Sequence, residues 1–222
     1  MKRFITISAI ILLVMVAGIT NQVAFGATKA LETTKNAVIS ELVNKKVENK
    51  KSKVSGDLPK FVSRSEVLNK QFNKIVDQVQ SAGMKKLKSE KGKSVSFSYD
   101  VYNYKNEYLS VVIHTEVFDG NTSSNDVETI VVNLKNHALR SLKDFLGDNA
   151  IEKGNLVITK AIKEDKTNSY FNDSDGFKSL TASSKFYINN KGGLVFIFNK
   201  YEIAPGSTGN PTFTMELPQK DK

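Results

Sequence analysis

The chain has 222 residues, no cysteine and a formal net charge of +9 at pH 7. The lack of cysteine excludes disulfide bonds, thiolate metal sites and cysteine nucleophiles, while the length allows one domain or two small ones with a core that needs no cross-link. The positive charge favours approach to polyanions such as wall teichoic acids or anionic lipid heads, the alternative being an ordinary solvated surface. The lysine pairs Lys45-Lys46, Lys50-Lys51 and Lys85-Lys86 have no interleaved aromatic residues, so we expect no nucleic acid as a partner.

The first 26 residues have the three parts of a secretory signal peptide. Lys2 and Arg3 precede a mainly apolar run from Phe4 to Ile19, and small residues follow at Ala24 and Gly26. The alternative is an uncleaved membrane anchor, because the run approaches the length of a bilayer span. Both interpretations place the rest of the chain outside the cytoplasm, secreted or associated with the cell surface, with membrane contact only through an uncleaved N-terminus.

The next segments predict a linker, a strand and a helix. Residues 27–43 are polar with scattered apolar residues, which predicts a linker or weak helix. From Val47 to Pro59 the pattern favours an edge strand closed by a turn at residues 55–59. Ser65 can cap the helix that follows, which weakens or ends near Gly83 or continues through Leu87. Its predicted apolar face comprises Val67, Leu68, Phe72, Ile75, Val76 and Val79.

An antiparallel meander is predicted after the helix. Its three strands are Ser94–Tyr104, Tyr108–Phe118 and Val127–Leu134, joined by a tight turn at 105–107 and a longer polar one at 119–126. In the second strand, apolar residues alternate with Ser110, His114 and Glu116. This alternation predicts a sheet covered on one side, by the helix of residues 67–79.

The last third predicts a short helix over 138–146 that ends at Gly147, and a helix or strand over 151–162. A hairpin of strands 184–188 and 194–198 and a final strand at 212–217 complete the chain. We therefore predict an α+β fold, with antiparallel sheets and packed helices in two small, intimately associated halves.

The most distinctive stretch is the loop from Tyr201 to Pro211. Its two glycines and two prolines favour a shaped, non-repetitive backbone. We take Tyr201, Glu202, Pro205 and Gly206 as candidate binding residues, the alternative being an ordinary surface loop.

Tyrosines cluster on the first meander strand and the turn after it. Tyrosine on an exposed sheet face can stack on a sugar ring or anchor a protein partner, which makes Tyr102 and Tyr104 candidate binding residues. The alternative is packing at the edge of the core with solvated hydroxyl groups.

No catalytic or metal site is predicted. His114 and His137 are the only histidines, and a hydrolase would need His114 and Glu116, which share a strand face, to converge with a further polar group. The loop 119–126 resembles a calcium loop only weakly, because Ser124 and Ile130 stand where glycine and glutamate are required. We therefore expect no cofactor and no enzyme activity.

The order of these features resembles the paired extracytoplasmic domains of Gram-positive surface proteins. The pair consists of a PdaC-type deacetylase N-terminal domain and a C-terminal partner domain of unknown function, as in the lysozyme-binding outer part of the anti-sigma-V factor. The resemblance spans residues 43–217 and assigns 44–134 to the first domain and 135–218 to the second. It rests on Leu58-Pro59, the helix, the tyrosine-rich meander, Ser141 to Leu146, Phe186 to Ile188, and above all Tyr201 to Pro205 with Gly209.

The resemblance implies a non-enzymatic binding protein with lysozyme or a related muramidase as its partner. The alternative is a module that binds a cell-wall polymer or assists a separate peptidoglycan-modifying enzyme. Only Met1, Lys2 and Arg3 precede the apolar run, and the chain ends soon after Leu217. We therefore expect neither a cytoplasmic sigma-factor-binding segment nor a deacetylase catalytic domain.

Overall fold

The computed structural model describes residues 29–31, 40–48, 53–89 and 94–217. The predicted signal peptide or anchor lies outside these residues. Within the described ranges, no helix combines the length and the apolar character needed to cross a membrane.

The described residues form a seven-stranded sheet, a three-stranded sheet and three α-helices, which confirms the predicted α+β class. The strands of the large sheet lie side by side in chain order, whereas β9 is the central strand of the small sheet. The large sheet comprises β1 (Lys29–Leu31), β2 (Ser40–Lys46), β3 (Val54–Val62), β4 (Ser94–Tyr104), β5 (Tyr108–Phe118), β6 (Ser123–Asn133) and β7 (Ala138–Leu139). The small sheet comprises β8 (Phe186–Ile188), β9 (Leu194–Ile197) and β10 (Thr212–Met215), and the helices are α1 (Glu66–Ser89), α2 (Leu142–Leu146) and α3 (Ala150–Glu164).

The predicted linker and edge strand take a different form in the structure. Residues 27–43 include β1 and the start of β2, which pairs with β3. The predicted turn at 55–59 lies inside β3, where residues 54–56 pair with β4 in parallel and residues 57–62 pair with β2 antiparallel. Gly56 stands at this change of partner with φ +113°, and an added Cβ would lie 2.0 Å from the Phe97 carbonyl oxygen. The glycine bends the strand instead of ending it.

Helix α1 begins where the sequence predicts and continues past Gly83. The Ser65 hydroxyl accepts a hydrogen bond from the Leu68 N–H (3.3 Å), which caps the first turn. An added Cβ at Gly83 would lie 2.8 Å from the Phe97 ring, so this glycine lets the helix approach the sheet closely. Leu68, Phe72 and Val76 are buried, but Val67 is 67% exposed and does not belong to the predicted apolar face.

The three predicted meander strands are confirmed, with one shift. Strand β6 begins at Ser123 because the Asp119 carboxylate accepts hydrogen bonds from the N–H groups of Asn121 (2.7 Å) and Thr122 (2.8 Å), which closes a shorter turn. These backbone donors lower the pKa of Asp119.

The prediction that the meander is covered on one side is wrong. Helix α1 packs on the Leu109 face of β5 as predicted, but the opposite face is also buried, at Ser110 and Val112. The small sheet covers it: the Ile188 N–H donates to the Ser110 hydroxyl (2.9 Å) and the Phe186 N–H to the Thr129 hydroxyl (3.2 Å). We call this contact between the meander and the small sheet the junction.

The connection between the meander and the small sheet also differs from the predicted helix over 138–146. Ala138 and Leu139 pair with β6 as β7, so helix α2 starts only at Leu142. Residues 151–162, for which helix and strand were both open, lie in α3. Ile158 of α3 is buried against the small sheet, and the predicted hairpin and final strand are present.

Candidate functional site

The loop around Tyr201 is fixed at both ends to strand β6. We call residues 199–211 the Tyr201 loop. The Asn199 side-chain oxygen accepts hydrogen bonds from the Val127 N–H (2.8 Å) and the Lys185 ammonium (3.1 Å). The Asn210 side-chain amide donates to the carbonyls of Asn125 (3.1 Å) and Phe198 (2.9 Å). These bonds hold the loop against the large sheet although its residues connect β9 and β10 of the small one.

The centre of the loop points into the protein. Ile203 is 4% exposed and Ala204 is fully buried, and the Ile203 carbonyl accepts a hydrogen bond from the Phe171 N–H (2.9 Å). Burying these two apolar residues anchors the loop, because each removes apolar surface from water. Of the Tyr-Glu-Ile-Ala-Pro string, only Tyr201 and Glu202 are exposed, whereas Pro205 is partly buried.

Tyr201 is the exposed aromatic residue of the loop. Its side chain is 45% exposed, and the Lys200 ammonium lies 5.2 Å from the ring centroid. The ring rests on Gly206, where an added Cβ would lie 2.3 Å from it. Tyr201 has φ +71°, a left-handed conformation that costs a residue other than glycine about 1–3 kcal/mol and that clusters at functional sites.

Glu202 and Pro205 have local contacts that shape the loop. The Glu202 carboxylate accepts a hydrogen bond from the Asn199 N–H (2.8 Å), while the Glu202 N–H donates to the Asn199 carbonyl (3.1 Å). Pro205 is partly buried and precedes a short 3-10 turn, Gly206–Thr208. Both residues therefore support the conformation in which Tyr201 is presented.

A polar hollow of about 320 Å³ adjoins the far end of the loop. It is lined by Thr208 and Asn210 from the loop and by Asp165 and Tyr170 from the connection after α3. The Tyr170 hydroxyl donates to the Asp165 carboxylate (3.0 Å). Hydrogen bonds from Asn168 and Thr167 lower the pKa of Asp165, and burial next to this carboxylate raises the pKa of Tyr170.

The other two candidate tyrosines lie at the junction. The Tyr102 ring stacks on Tyr187 of β8, with centroids 4.5 Å apart, and burial, followed by Tyr187 and Asp100, raises the pKa of Tyr102. The Tyr104 ring covers Gly192, where an added Cβ would lie 2.5 Å away. These rings join the two sheets and do not lie on an open face. The structure therefore does not bring them together with the Tyr201 loop.

The histidines have structural neighbours. The His114 ring lies 3.1 Å from the Asp100 carboxylate through Nε2 and 3.4 Å from the Asn125 side-chain oxygen through Nδ1. The hypothetical partner Glu116 is exposed. Within the described ranges, no group of three histidine, aspartate or glutamate side chains could hold a metal ion.

Asn199, Asn210 and Lys200 are the site residues that sequence reasoning missed. Their role depends on contacts with β6, 72 residues away in the chain for Asn199 and Val127. The available signal was the position of the two asparagines at either end of a loop rich in glycine and proline.

Residues 143–217 match the family described as "Protein of unknown function (DUF3298)". A DUF3298 domain therefore occupies this segment, which contains α3, the small sheet and the Tyr201 loop. The predicted PdaC-type domain over 44–134 and both predicted domain boundaries stay predictions.

The chain is homologous to the anti-sigma-V factor RsiV of Bacillus subtilis (strain 168). The two are 28% identical over an alignment of 193 positions, which covers 82% of this chain and 61% of that relative. The chain thus spans less than two thirds of the length of RsiV.

Two solved structures are similar to this chain. A member of the DUF3298 family from Bacteroides fragilis NCTC 9343 has a TM-score of 0.48 at 16% identity, covering 86% of this chain and 91% of that one. A DUF3298 family protein from Pseudomonas aeruginosa PAO1 has a TM-score of 0.47 at 15% identity, covering 80% of this chain and 89% of that one.

Proposed function

We propose that this chain is an extracytoplasmic, non-enzymatic binding protein that contacts a protein partner through the Tyr201 loop. The observation that supports this most directly is the exposed Tyr201 ring, held in a left-handed backbone between Lys200 and Gly206. Aromatic anchors of this kind dominate the binding energy of many interfaces. A ring that is already positioned loses little conformational entropy on binding.

Lysozyme, or a related muramidase, is the first partner to test. Support comes from the resemblance to lysozyme-binding outer domains and from the homology to an anti-sigma factor. Lysozymes are commonly basic, and the net charge of +9 gives this chain no long-range attraction to a basic partner. Recognition would therefore depend on shape and short-range contacts, and we expect only weak dependence of the affinity on salt.

Biolayer interferometry of the full chain against lysozymes of several types tests the proposal. We expect Tyr201→Ala to weaken binding at least about tenfold, as removal of an anchoring aromatic residue does. Val67→Ala is the control, because Val67 is 67% exposed and lies at the start of α1, whereas the other end of that helix, at Lys86, is the one that contacts β6. Equal affinities of the two variants would show that the Tyr201 side chain contributes no binding energy.

A second candidate function is binding to an anionic wall polymer. Lys70 and Lys74 are exposed one turn apart on α1, and neither forms an ion pair with a described residue. Sedimentation with purified wall, with and without teichoic acid, separates this function from protein binding. Wall binding should fall steeply with salt and with the double variant Lys70→Gln, Lys74→Gln, whereas Tyr201→Ala should leave it unchanged.

A further inference from the structure

We propose that strand β4 binds an extended protein segment, in which basic and apolar residues alternate, along an edge that β3 leaves open. Strand β3 pairs with β4 only as far as Gly56 and Phe97 and then bends to pair with β2, while β4 continues to Tyr104. We call residues 99–103 the open edge of β4. Addition of a strand to such an edge is a common way of recognising extended segments.

The backbone groups of Tyr99 and Val101 face away from β5. The Val95 N–H donates to the backbone just before β3 (3.1 Å), and the Asn103 N–H donates to the Asn190 side-chain oxygen (2.9 Å). Both N–H groups therefore point away from β5. In an antiparallel pair, alternate residues bond to the same neighbour. The N–H and C=O groups of Tyr99 and Val101 thus point to the side that β3 has left.

These four backbone groups have no hydrogen-bond partner within the described ranges. Pairing with β3 stops at Phe97, and no turn, loop or side chain bonds to the backbone of Tyr99 or Val101. Both residues are partly exposed, and the neighbouring Ser98 and Asp100 are exposed. Because a buried backbone group without a partner would be costly, these groups face water in the free protein.

Other strand edges of the protein are protected, whereas this one is not. Beyond Gly56, the Asn73 side chain of α1 bonds to both the N–H and the C=O of Phe61 (2.9 Å each), and Pro59 has no N–H. The marginal strands β1, β7, β8 and β10 are only two to four residues long. Residues 94–104 contain neither lysine nor proline, which commonly block an exposed edge. The edge is therefore available for pairing.

The side chains on the two faces of the open edge determine what can pair with it. On one face, Tyr99 and Val101 pack partly against the main core, so residues opposite them should be apolar. On the other face, the Asp100 side chain is 51% exposed, and one of its oxygens lies 3.1 Å from the His114 ring. A carboxylate accepts several hydrogen bonds, so Asp100 can also bind a basic side chain opposite it.

A second carboxylate, that of Asp57, lies where β3 leaves β4. Burial, followed by the Asp57 charge, raises the pKa of Tyr99, so this charge stands beside the open edge. Lys46 is opposite Asp57 on β2, but its ammonium pairs with Glu48 (3.7 Å). In the described part of the chain, no lysine or arginine lies within ion-pair distance of Asp57 or Asp100. These unpaired carboxylates favour a basic segment.

Amide hydrogen exchange of the full chain, followed by NMR, tests whether the edge is open. In the free protein, the amides of Tyr99 and Val101 should exchange at least about tenfold faster than those of Asp100 and Tyr102, which bond to β5. Addition of the peptide Lys-Val-Lys-Val-Lys should slow the first two amides and leave the other two unchanged. Equal exchange of all four amides in the free protein would overturn the proposal.

Fluorescence polarisation with the full chain and the fluorescein-labelled peptide measures the affinity. We expect saturable binding that Asp100→Asn weakens about threefold, as loss of an exposed ion pair does. Glu152→Gln is the matched control, since Glu152 is exposed and lies on α3. Methylation of the backbone nitrogens of either the valines or the lysines of the peptide should weaken binding at least about tenfold in one case only, because only alternate amides face β4.

Val101→Pro keeps the test decisive if Asp100→Asn disturbs the contact with His114. The Val101 N–H bonds to no strand, so proline should leave the circular dichroism spectrum unchanged and block the peptide. Sedimentation equilibrium without peptide should show a monomer. A dimer that Val101→Pro dissociates would assign the edge to a second copy of the chain and overturn the proposal. Absence of saturable binding, or equal binding by wild type and Val101→Pro, would do the same.

Discussion

Two regions of this protein place a tyrosine ring over a glycine, and they use it differently. At the junction, Tyr104 covers Gly192 and lies beside the Tyr102–Tyr187 stack, so its ring holds two sheets together. In the Tyr201 loop, Tyr201 covers Gly206 but remains 45% exposed. The same pair of residue types thus supports stability in one place and presents a surface in the other. What differs is whether a second element of the fold covers the ring.

The largest effect expected at the junction follows from removing a stacked ring. Tyr102→Ala should lower the free energy of unfolding by about 2–3 kcal/mol, because it removes partly buried apolar surface and the contact with Tyr187. Urea denaturation followed by circular dichroism measures this. Tyr102→Phe keeps the ring and should cost less than about 1 kcal/mol. Equal losses for both variants would show that the hydroxyl group, not the stacking, matters at the junction.

The two glycines give a direct comparison of the regions. Gly192 has φ +87°, and an added Cβ would lie 2.5 Å from the Tyr104 ring, which is partly buried and packs against the core of the small sheet. Gly192→Ala should therefore destabilise the protein by about 2 kcal/mol. Gly206→Ala meets the Tyr201 ring at 2.3 Å and would displace it from its position towards solvent, because no second element of the fold covers the ring. We expect a change below about 0.5 kcal/mol in thermal unfolding, together with weaker binding to the partner.

Alkaline pH should weaken the junction. The pKa of Tyr102 is raised in the folded protein, mainly by burial, so the folded state holds its phenolic proton more tightly than the unfolded chain does. The resulting stability is fully present below the ordinary tyrosine pKa of about 10 and is lost as the pH rises above it. One pH unit above that value, the loss should be about 1 kcal/mol. Melting temperatures of the wild type and Tyr102→Phe between pH 8 and 11 test this; parallel curves would contradict it.

The smallest expected effect concerns the backbone at Tyr201. Asparagine adopts a left-handed conformation more readily than alanine. With φ +71° at this position, Tyr201→Asn should be more stable than Tyr201→Ala by about 0.5 kcal/mol, although both variants lose the ring that we propose as the anchor. Differential scanning calorimetry of the pair measures the difference. Alanine as the more stable of the two would mean that the loop relaxes once the ring is removed.

Local sequence signals predicted the elements whose structure depends on near neighbours. The strands β4 and β5, the turn at 105–107 and the Ser65 cap were all predicted correctly, because each depends on residues close in the chain. The turn predicted at Gly56 and Pro59 was wrong, although glycine and proline close together in a sequence normally mark a turn. Here the pairing of β3 with both β2 and β4 keeps them in a strand. Long-range pairing overrode the local preference.

The candidate site could likewise be predicted only in part, because some of its contacts join residues that are far apart in the chain. Glycine and proline content identified the Tyr201 loop as a shaped segment, and the exposed position of Tyr201 agrees with that interpretation. The polar residues of β5 were expected to face water, but the small sheet covers Ser110 completely. The buried Ser110 hydroxyl group accepts a hydrogen bond from the Ile188 N–H, 78 residues away in the chain. No pattern within β5 indicates that a second sheet supplies the donor. For the same reason, packing of Tyr102 at the edge of the core could be offered as an alternative, but its contact with Tyr187 could not be predicted.

The spacing of contacts along the chain has a consequence for the order of folding. The meander strands are joined by short turns, whereas the Asn103 N–H bonds to Asn190 across 87 residues. Closing a long loop costs more entropy than closing a short one, so we expect the meander to form first and the small sheet to dock last. In pulsed hydrogen exchange during refolding, the amide of Val111 should be protected before that of Phe196. During synthesis, the small sheet can be complete only after β10 has left the ribosome, so the Ser110 face of β5 would stay open to water, and to chaperones, until then.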